Sequence, residues 1–235
     1  EVARGVAGQR RLTVTRVPGM PAGWTGKMFA LKHGTGTALS VASPPQYLLL
    51  TDADITHAPD SVRSLVARAE AGGHALTSLM AKLRCESLPE RSHVPAFVLF
   101  FEMLFPFSWV NDPRRTTAAA AGGCMLARSD ALQAIGGIDS IRDAVIDDCA
   151  LAKRMKTQGP IWLGLTERVR SVRHYDTWHD VRRMISRSAY AQLNYSPLLL
   201  IGTTLGMALT FLAAPLLAVF GDGAARVIGA LTFAL

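Results

Sequence analysis

Charge is scarce in this chain. Of its 235 residues only 18% are Asp, Glu, Lys or Arg, against about 25% in an ordinary soluble domain. That argues against a plain cytosolic enzyme. Cysteine is scarce too: Cys85, Cys124 and Cys149 have no metal-ligand spacing, which excludes a disulfide scaffold and fits a reducing compartment. Low-complexity runs are almost absent and 49% of residues are hydrophobic, so disorder is excluded as the main state. Twenty glycines and twelve prolines are ordinary for this length and rule out a collagen-like chain. No internal repeat is visible, and the six histidines show no ligand spacing. The length allows one large domain or two small ones.

What charge there is lies unevenly. The formal net charge is +7, and residues 153–187 hold nine Lys/Arg against Glu167, Asp176 and Asp180, which is +6 of it. A nucleic-acid binder interleaves such basic residues with aromatics or a recognisable module. Neither is present, so no nucleic-acid partner is expected. Residues 197–220, PLLLIGTTLGMALTFLAAPLLAVF, then run for 24 positions without a charge. At 1.5 Å per residue this crosses a hydrocarbon core of roughly 30 Å. GDGAAR (221–226) reads as a tight turn, and VIGALTFAL (227–235) begins a second apolar run. Because the basic cluster precedes the first span, the positive-inside rule puts the N-terminal portion in the cytoplasm of a multi-pass inner (plasma) membrane protein. A chain that starts at Glu1 and stops within an apolar run is read as a piece truncated at both ends.

The N-terminal portion alternates strand and helix patterns. Residues 11–17 (RLTVTRV) read as a strand, 18–27 as a Gly/Pro loop, and 28–34 as a helix ending at Gly34. The apolar QYLLLTDAD (46–54) has the profile of a central parallel strand. Residues 59–72 fit a helix stopped by Gly72–Gly73, and 75–83 another strand. Residues 118–137 read strand, turn, short helix and double Gly, and 146–159 a helix with acids first and bases last. This alternation predicts an α/β layered domain. Residues 94–110 hold Phe97, Phe100, Phe101, Phe105 and Phe107 together with Glu102 and two prolines, a poor membrane span. They read as a core helix or as an interfacial one.

Chemistry concentrates in three places. Asp52 and Asp54 close the apolar strand, where i, i+2 spacing on an extended chain points both carboxylates to one side. Strand ends border the ligand crevice of open α/β sheets, and two carboxylates there suit a hard divalent cation that also holds a diphosphate. Two turn-forming acids after a strand are the plainer reading. Asp147 and Asp148 open a helix: either they cap it, or one of two neighbouring carboxylates has a raised pKa and serves as a general base. Arg183, Arg187, Tyr190 and Asn194 make one helical stripe before the membrane segment. It suits anionic lipid, or an arginine there meets a diphosphate. Lys27 in the WTGK loop is a further phosphate candidate, or a solvated lysine.

In order, WTGKMFAL, LLLTDADI, GGCMLARSDAL, IDDCALAKRMK and the basic pre-membrane helix resemble a membrane-bound family 2 glycosyltransferase. More narrowly they resemble the hopene-associated enzymes of bacterial hopanoid clusters, with ceramide glucosyltransferases more distant. The resemblance implies a GT-A fold (Rossmann-like), a nucleotide-sugar donor, UDP-linked, and a divalent metal, Mg²⁺ or Mn²⁺. It places the metal and donor on Asp52 and Asp54, the acceptor-deprotonating base on Asp148, and Asp147 where relatives carry Glu. Lys27 matches the lysine of a donor-side G-K-x-x-A-L motif, and Arg187 the arginine of Q-x-x-R-W. That last motif here reads Met184-Ile185-Ser186-Arg187-Ser188, without its Gln or Trp. The family's first strand and nucleotide-binding acid have no counterpart in these residues and are expected upstream of Glu1, so the segment alone is expected to bind nucleotide poorly.

The expected organisation is a GT-A catalytic domain over 1–165 lacking its first strand, a basic interfacial segment over 166–196, and a transmembrane helix over 197–220. A second transmembrane helix starts at 227–235. The expected activity is inverting, metal-assisted transfer of a sugar to a membrane lipid acceptor at the bilayer, a hopanoid-related lipid on the narrower resemblance. The alternatives are a polysaccharide synthase of the same fold and a non-catalytic, membrane-anchored lipid-binding scaffold.

Overall fold

A computed structural model describes residues 12–17, 19–144, 146–193 and 195–234, with backbone only for Arg187 and Ser188. It divides into two compact units, the first ending at Arg182 and the second beginning at Arg183.

The first unit is built on five strands, β1 (Tyr47–Thr51), β2 (Ile55–His57), β3 (Leu76–Lys82), β4 (Cys124–Arg128) and β5 (Ile161–Ser171), in the order β1-β4-β3-β5-β2. Its helices are α1 (Gly26–Leu39), α2 (Ser61–Gly72), α3 (Leu88–Leu104), α4 (Phe107–Val110), α5 (Ser129–Ala134) and α6 (Asp147–Met155), with a 3-10 turn at Gly137–Ile141. The period-2 alternation of strand side chains sorts them into two cores. Leu48, Leu50, Met125 and Ala127 face one core with Met28 of α1 and Leu151 and Met155 of α6. Leu49, Cys124 and Leu126 face the other, against Leu65 and Ala69 of α2. Helices therefore cover both faces of the sheet, as the α/β expectation required.

Several elements differ from the sequence reading. β1 is not a central parallel strand: among the described residues it is an edge strand, antiparallel to β4 with Leu49 opposite Leu126. The sheet's parallel pair is β3 with β5. Residues 12–17 form no strand, and Arg11 lies outside the described residues. α1 does not stop at Gly34 but runs to Leu39. Thr25 Oγ1 caps its start by accepting from Met28 N at 3.3 Å. Beyond that glycine, the Thr35 and Thr37 hydroxyls donate to carbonyls one turn back, so the turn around Gly34 and Gly36 keeps its bonding. β5 is long and was not expected. Residues 166–171, grouped by charge with the basic segment, complete this strand. The helix over 59–72 and its glycine stop do form, with Gly73 at φ 58° in the left-handed cap that glycine favours.

The aromatic 94–110 stretch is only partly in the core: Val110 is buried there and Phe101, Phe105 and Phe107 pack against it. α3 starts earlier, at a capping box in which Ser87 accepts from Glu90 N and Glu90 accepts from Ser87 N. Its far half leaves Leu99, Met103 and Leu104 exposed, as is Trp109 of α4. Leu88–Val110 and Pro197–Phe220 are both long and apolar enough to cross a membrane.

α7 (Trp178–Gln192) leads into the second unit, which holds α8 (Pro197–Phe220) and α9 (Gly223–Ala234). α8 coincides with the expected span and buries no residue. The second apolar helix begins at Gly223, earlier than expected, with Arg226 Nε donating to the Gly221 carbonyl at 2.8 Å. α9 packs on α8 at Gly229, where a Cβ would lie 2.6 Å from Ala218 N. Before α8, Tyr190 Oη donates to the Tyr195 carbonyl at 2.9 Å.

Candidate active site

β1 ends at Thr51, and Asp52–Asp54 turn rather than extend: Ile55 N donates back to Asp52 O at 3.3 Å. The extended-strand argument for two parallel carboxylates therefore does not hold. Asp52 Oδ1 lies 3.2 Å from Lys27 Nζ, whereas Asp54 Oδ2 lies 3.9 Å from Arg173 Nη1. The two acids of the D-x-D sequence face different cations.

Lys27 joins the two acidic pairs. Its ammonium, in the first turn of α1, is also 3.0 Å from Asp147 Oδ2 at the start of α6. Withdrawal from water works to lower its pKa, but the Asp147 and Asp52 carboxylates outweigh that and hold it above the ordinary lysine value. A groove of about 460 Å³ opens beside it, between α1 and β1, lined by Lys27, Leu31, Thr35, Leu48, Leu50 and Asp52 among others.

Asp148, next in α6, accepts from Gly122 N at 2.9 Å and from Cys149 N at 2.7 Å. Loss of solvent raises its pKa to about 6, and the adjacent Asp147 charge adds to the rise. The two amide donors and Lys27 oppose it without cancelling it. Gly122 permits this approach, because a Cβ there would sit 3.2 Å from Asp148 Oδ2 and 3.5 Å from Lys27 Nζ.

The Gly122–Gly123 loop is itself held by groups that sequence reasoning missed. The buried Ser78 hydroxyl of β3 accepts from Ala121 N at 2.9 Å and lies within donating distance of Ala121 O and Cys124 O. Thr51 Oγ1 donates to Gly123 O at 2.9 Å and lies 3.0 Å from His57 Nε2. A serine in an apolar strand and a threonine before D-x-D were the available signals.

Not every expected residue reaches this cluster. Asp54 stands apart at Arg173, and the Arg187 side chain and Asn194 lie outside what is described. No group of three His, Cys, Asp or Glu that could hold a metal exists among the described residues. Asp52 and Asp54 are oxygen ligands of the hard kind that Mg²⁺ takes, but each lies beside a different basic side chain. They do not make a cage for a metal by itself.

One acid of each pair, Asp52 at the strand end and Asp147 at the helix start, thus shares Lys27, while Asp54 faces Arg173. Residues 37–235 match the family model described as Glycosyl transferase family 21. The chain belongs to that family and is a glycosyltransferase. The number is 21 rather than the family 2 of the motif resemblance; glycosyl transfer is common to both. Both acid pairs lie inside the match, and Lys27 lies just ahead of it. No curated protein matches the chain.

Proposed function

We propose that this glycosyltransferase moves a sugar from a nucleotide-sugar donor, UDP-linked, to the hydroxyl of a membrane lipid, with inversion at the anomeric carbon. The observation that carries the reading is the lysine bridge: Lys27 holds Asp52 3.2 Å and Asp147 3.0 Å from one ammonium. One group thereby ties the donor-side acid to the pair that contains the base.

Asp148 takes the proton of the acceptor hydroxyl as its oxygen bonds to the anomeric carbon and the bond to the nucleoside diphosphate breaks. Its pKa of about 6 suits a base working near neutrality. Asp147 and Lys27 fix the neighbouring charges, and the amides of Gly122 and Cys149 orient the carboxylate. Asp52, with Asp54, would hold a divalent cation, Mg²⁺ or Mn²⁺, which when bound supplies positive charge to the departing diphosphate. Arg187, whose backbone lies in α7, is assigned to phosphate or anionic lipid on its motif position.

The acceptor side is proposed to be lipid. α8 is apolar on every face and buries none of its residues, and α3 turns Leu99 and Met103 outward. A polycyclic, hopanoid-type alcohol is the proposed acceptor class, with the catalytic unit on the cytoplasmic face of the inner membrane, where the positive-inside rule puts it. Transfer from radiolabelled UDP-sugars to hopanoid and ceramide acceptors in detergent micelles tests this. Product with neither acceptor, and with soluble glycans instead, would favour polysaccharide synthesis.

A further inference from the structure

The segment 172–177, between β5 and α7, is tied down at both ends. At its start, Val172 N donates to Asp54 O at 2.8 Å. At its end, Tyr175 N donates to Glu90 Oε1 at 2.9 Å and the Ser87 hydroxyl donates to Tyr175 O at 3.1 Å. Arg84 Nη1 closes the clamp, donating to Asp176 Oδ1 at 3.0 Å and to both oxygens of Glu90.

Glu90 is fully buried, with 0% exposure. A buried carboxylate is costly unless it is paired and hydrogen-bonded, and this one accepts from three backbone amides, those of Glu86, Ser87 and Tyr175, as well as from Arg84. A capping box needs only the Ser87 amide. The bond to Tyr175, 85 residues away in the chain, does nothing for the helix end. It fixes the strap.

Between the two anchors stands Arg173. Its guanidinium is 60% exposed and 3.9 Å from Asp54 Oδ2, near enough to be attracted and with its N–H groups left for another acceptor. On the other side of D-x-D, Lys27 is already shared by Asp52 and Asp147. A diphosphate approaching four aspartates needs a cation on the Asp54 side, and a planar fork suits phosphate oxygens.

We propose that Arg173 is a donor-diphosphate contact beside Asp54 and that Glu90 is the positioning residue that holds it there through the Tyr175 amide. This rests on the nucleotide-sugar reading above. The test is calorimetric binding of UDP with Mn²⁺ to the full-length protein in detergent. Arg173→Gln is expected to weaken UDP about tenfold, with Arg173→Lys recovering part of the loss. Glu90→Gln is expected to weaken it several-fold, and the double variant no more than Arg173→Gln alone, because the second change acts through the first. If Glu90→Gln does not fold, Ser87→Ala, which frees the Tyr175 carbonyl but keeps the carboxylate, replaces it in the cycle. Wild-type affinity in Arg173→Gln, or losses that simply multiply, would overturn the proposal. If Asp52→Ala abolishes UDP binding while Arg173→Gln does not, the donor reading stands and this inference alone falls. If the wild-type protein binds no UDP, both fall together.

Discussion

The two acidic pairs share residue type, and one member of each contacts Lys27, yet their surroundings differ. Asp52 and Asp54 sit on an open turn after a strand, with side chains 39% and 35% exposed, each facing a separate cation. Asp147 and Asp148 begin a helix, and there withdrawal from water raises Asp148 to about 6. An acid deprived of water and placed beside a like charge gains proton affinity. On the proposed reading, environment divides one residue type between two tasks.

That division can be broken first at Asp148. Asp148→Asn is expected to cut sugar transfer by about 10²- to 10⁴-fold, the range of a lost general base, while UDP binding with Mn²⁺ stays at the wild-type level. Loss of binding as well would merge the two pairs into one function. Stability should move the other way. A carboxyl whose pKa is higher folded than unfolded contributes stability below about pH 4, and that contribution is lost as pH rises to about 6. At pH 8 the asparagine variant should therefore be more stable by on the order of 1–3 kcal/mol, seen as a higher Tm that converges with wild type at pH 4.

Asp52→Ala attacks the other half. Removing one charged ligand should weaken UDP–Mn²⁺ binding by roughly 10- to 100-fold, measured by calorimetry, without moving the pH dependence of kcat. In the wild type, that profile should rise with pH through about 6 and then level, because the carboxylate is the working form. A profile flat from pH 5 to 8 would remove Asp148 from the role.

Lys27→Met sharpens the link between the pairs. Without the ammonium that helps hold the Asp148 pKa down, the rising limb should shift to higher pH, with turnover at pH 7 falling several-fold. The smallest effect is expected from Gly122→Ala. Its methyl would press on Asp148 Oδ2 at 3.2 Å, lengthening one amide bond and lowering kcat by about two- to fivefold.

The sequence made α8 fully legible, since a chargeless run of that length leaves few alternatives, and it located α2 and α6 through glycine stops and charge order. It hid β5, whose exposed residues Glu167, Arg168 and Arg170 look like a solvated segment until Val169 is seen packed in the second core. It misplaced β1, because an apolar run shows burial without showing which strand lies beside it. The candidate site was legible as residue types but not as an arrangement. Nothing local to D-x-D shows that Lys27 would reach Asp147 across the chain, or that Ser78 would hold the loop that meets Asp148. Such contacts depend on the register of β4 between β1 and β3, which only the folded sheet sets.

The three cysteines, noted first for their small number, differ sharply in access. Cys124 lies at 0% exposure inside the sheet, and burial pushes its thiol up to about 11, so it is neither reachable nor ionised near neutrality. Cys85 is exposed, between the two residues Arg84 and Glu86 that form an ion pair in the clamp. A thiol reagent added to the native protein should therefore label Cys85 within its ordinary reaction time and reach Cys124 only when the sheet opens. The chain carries a fast reporter beside the clamp and a slow clock for unfolding, and neither requires an engineered residue.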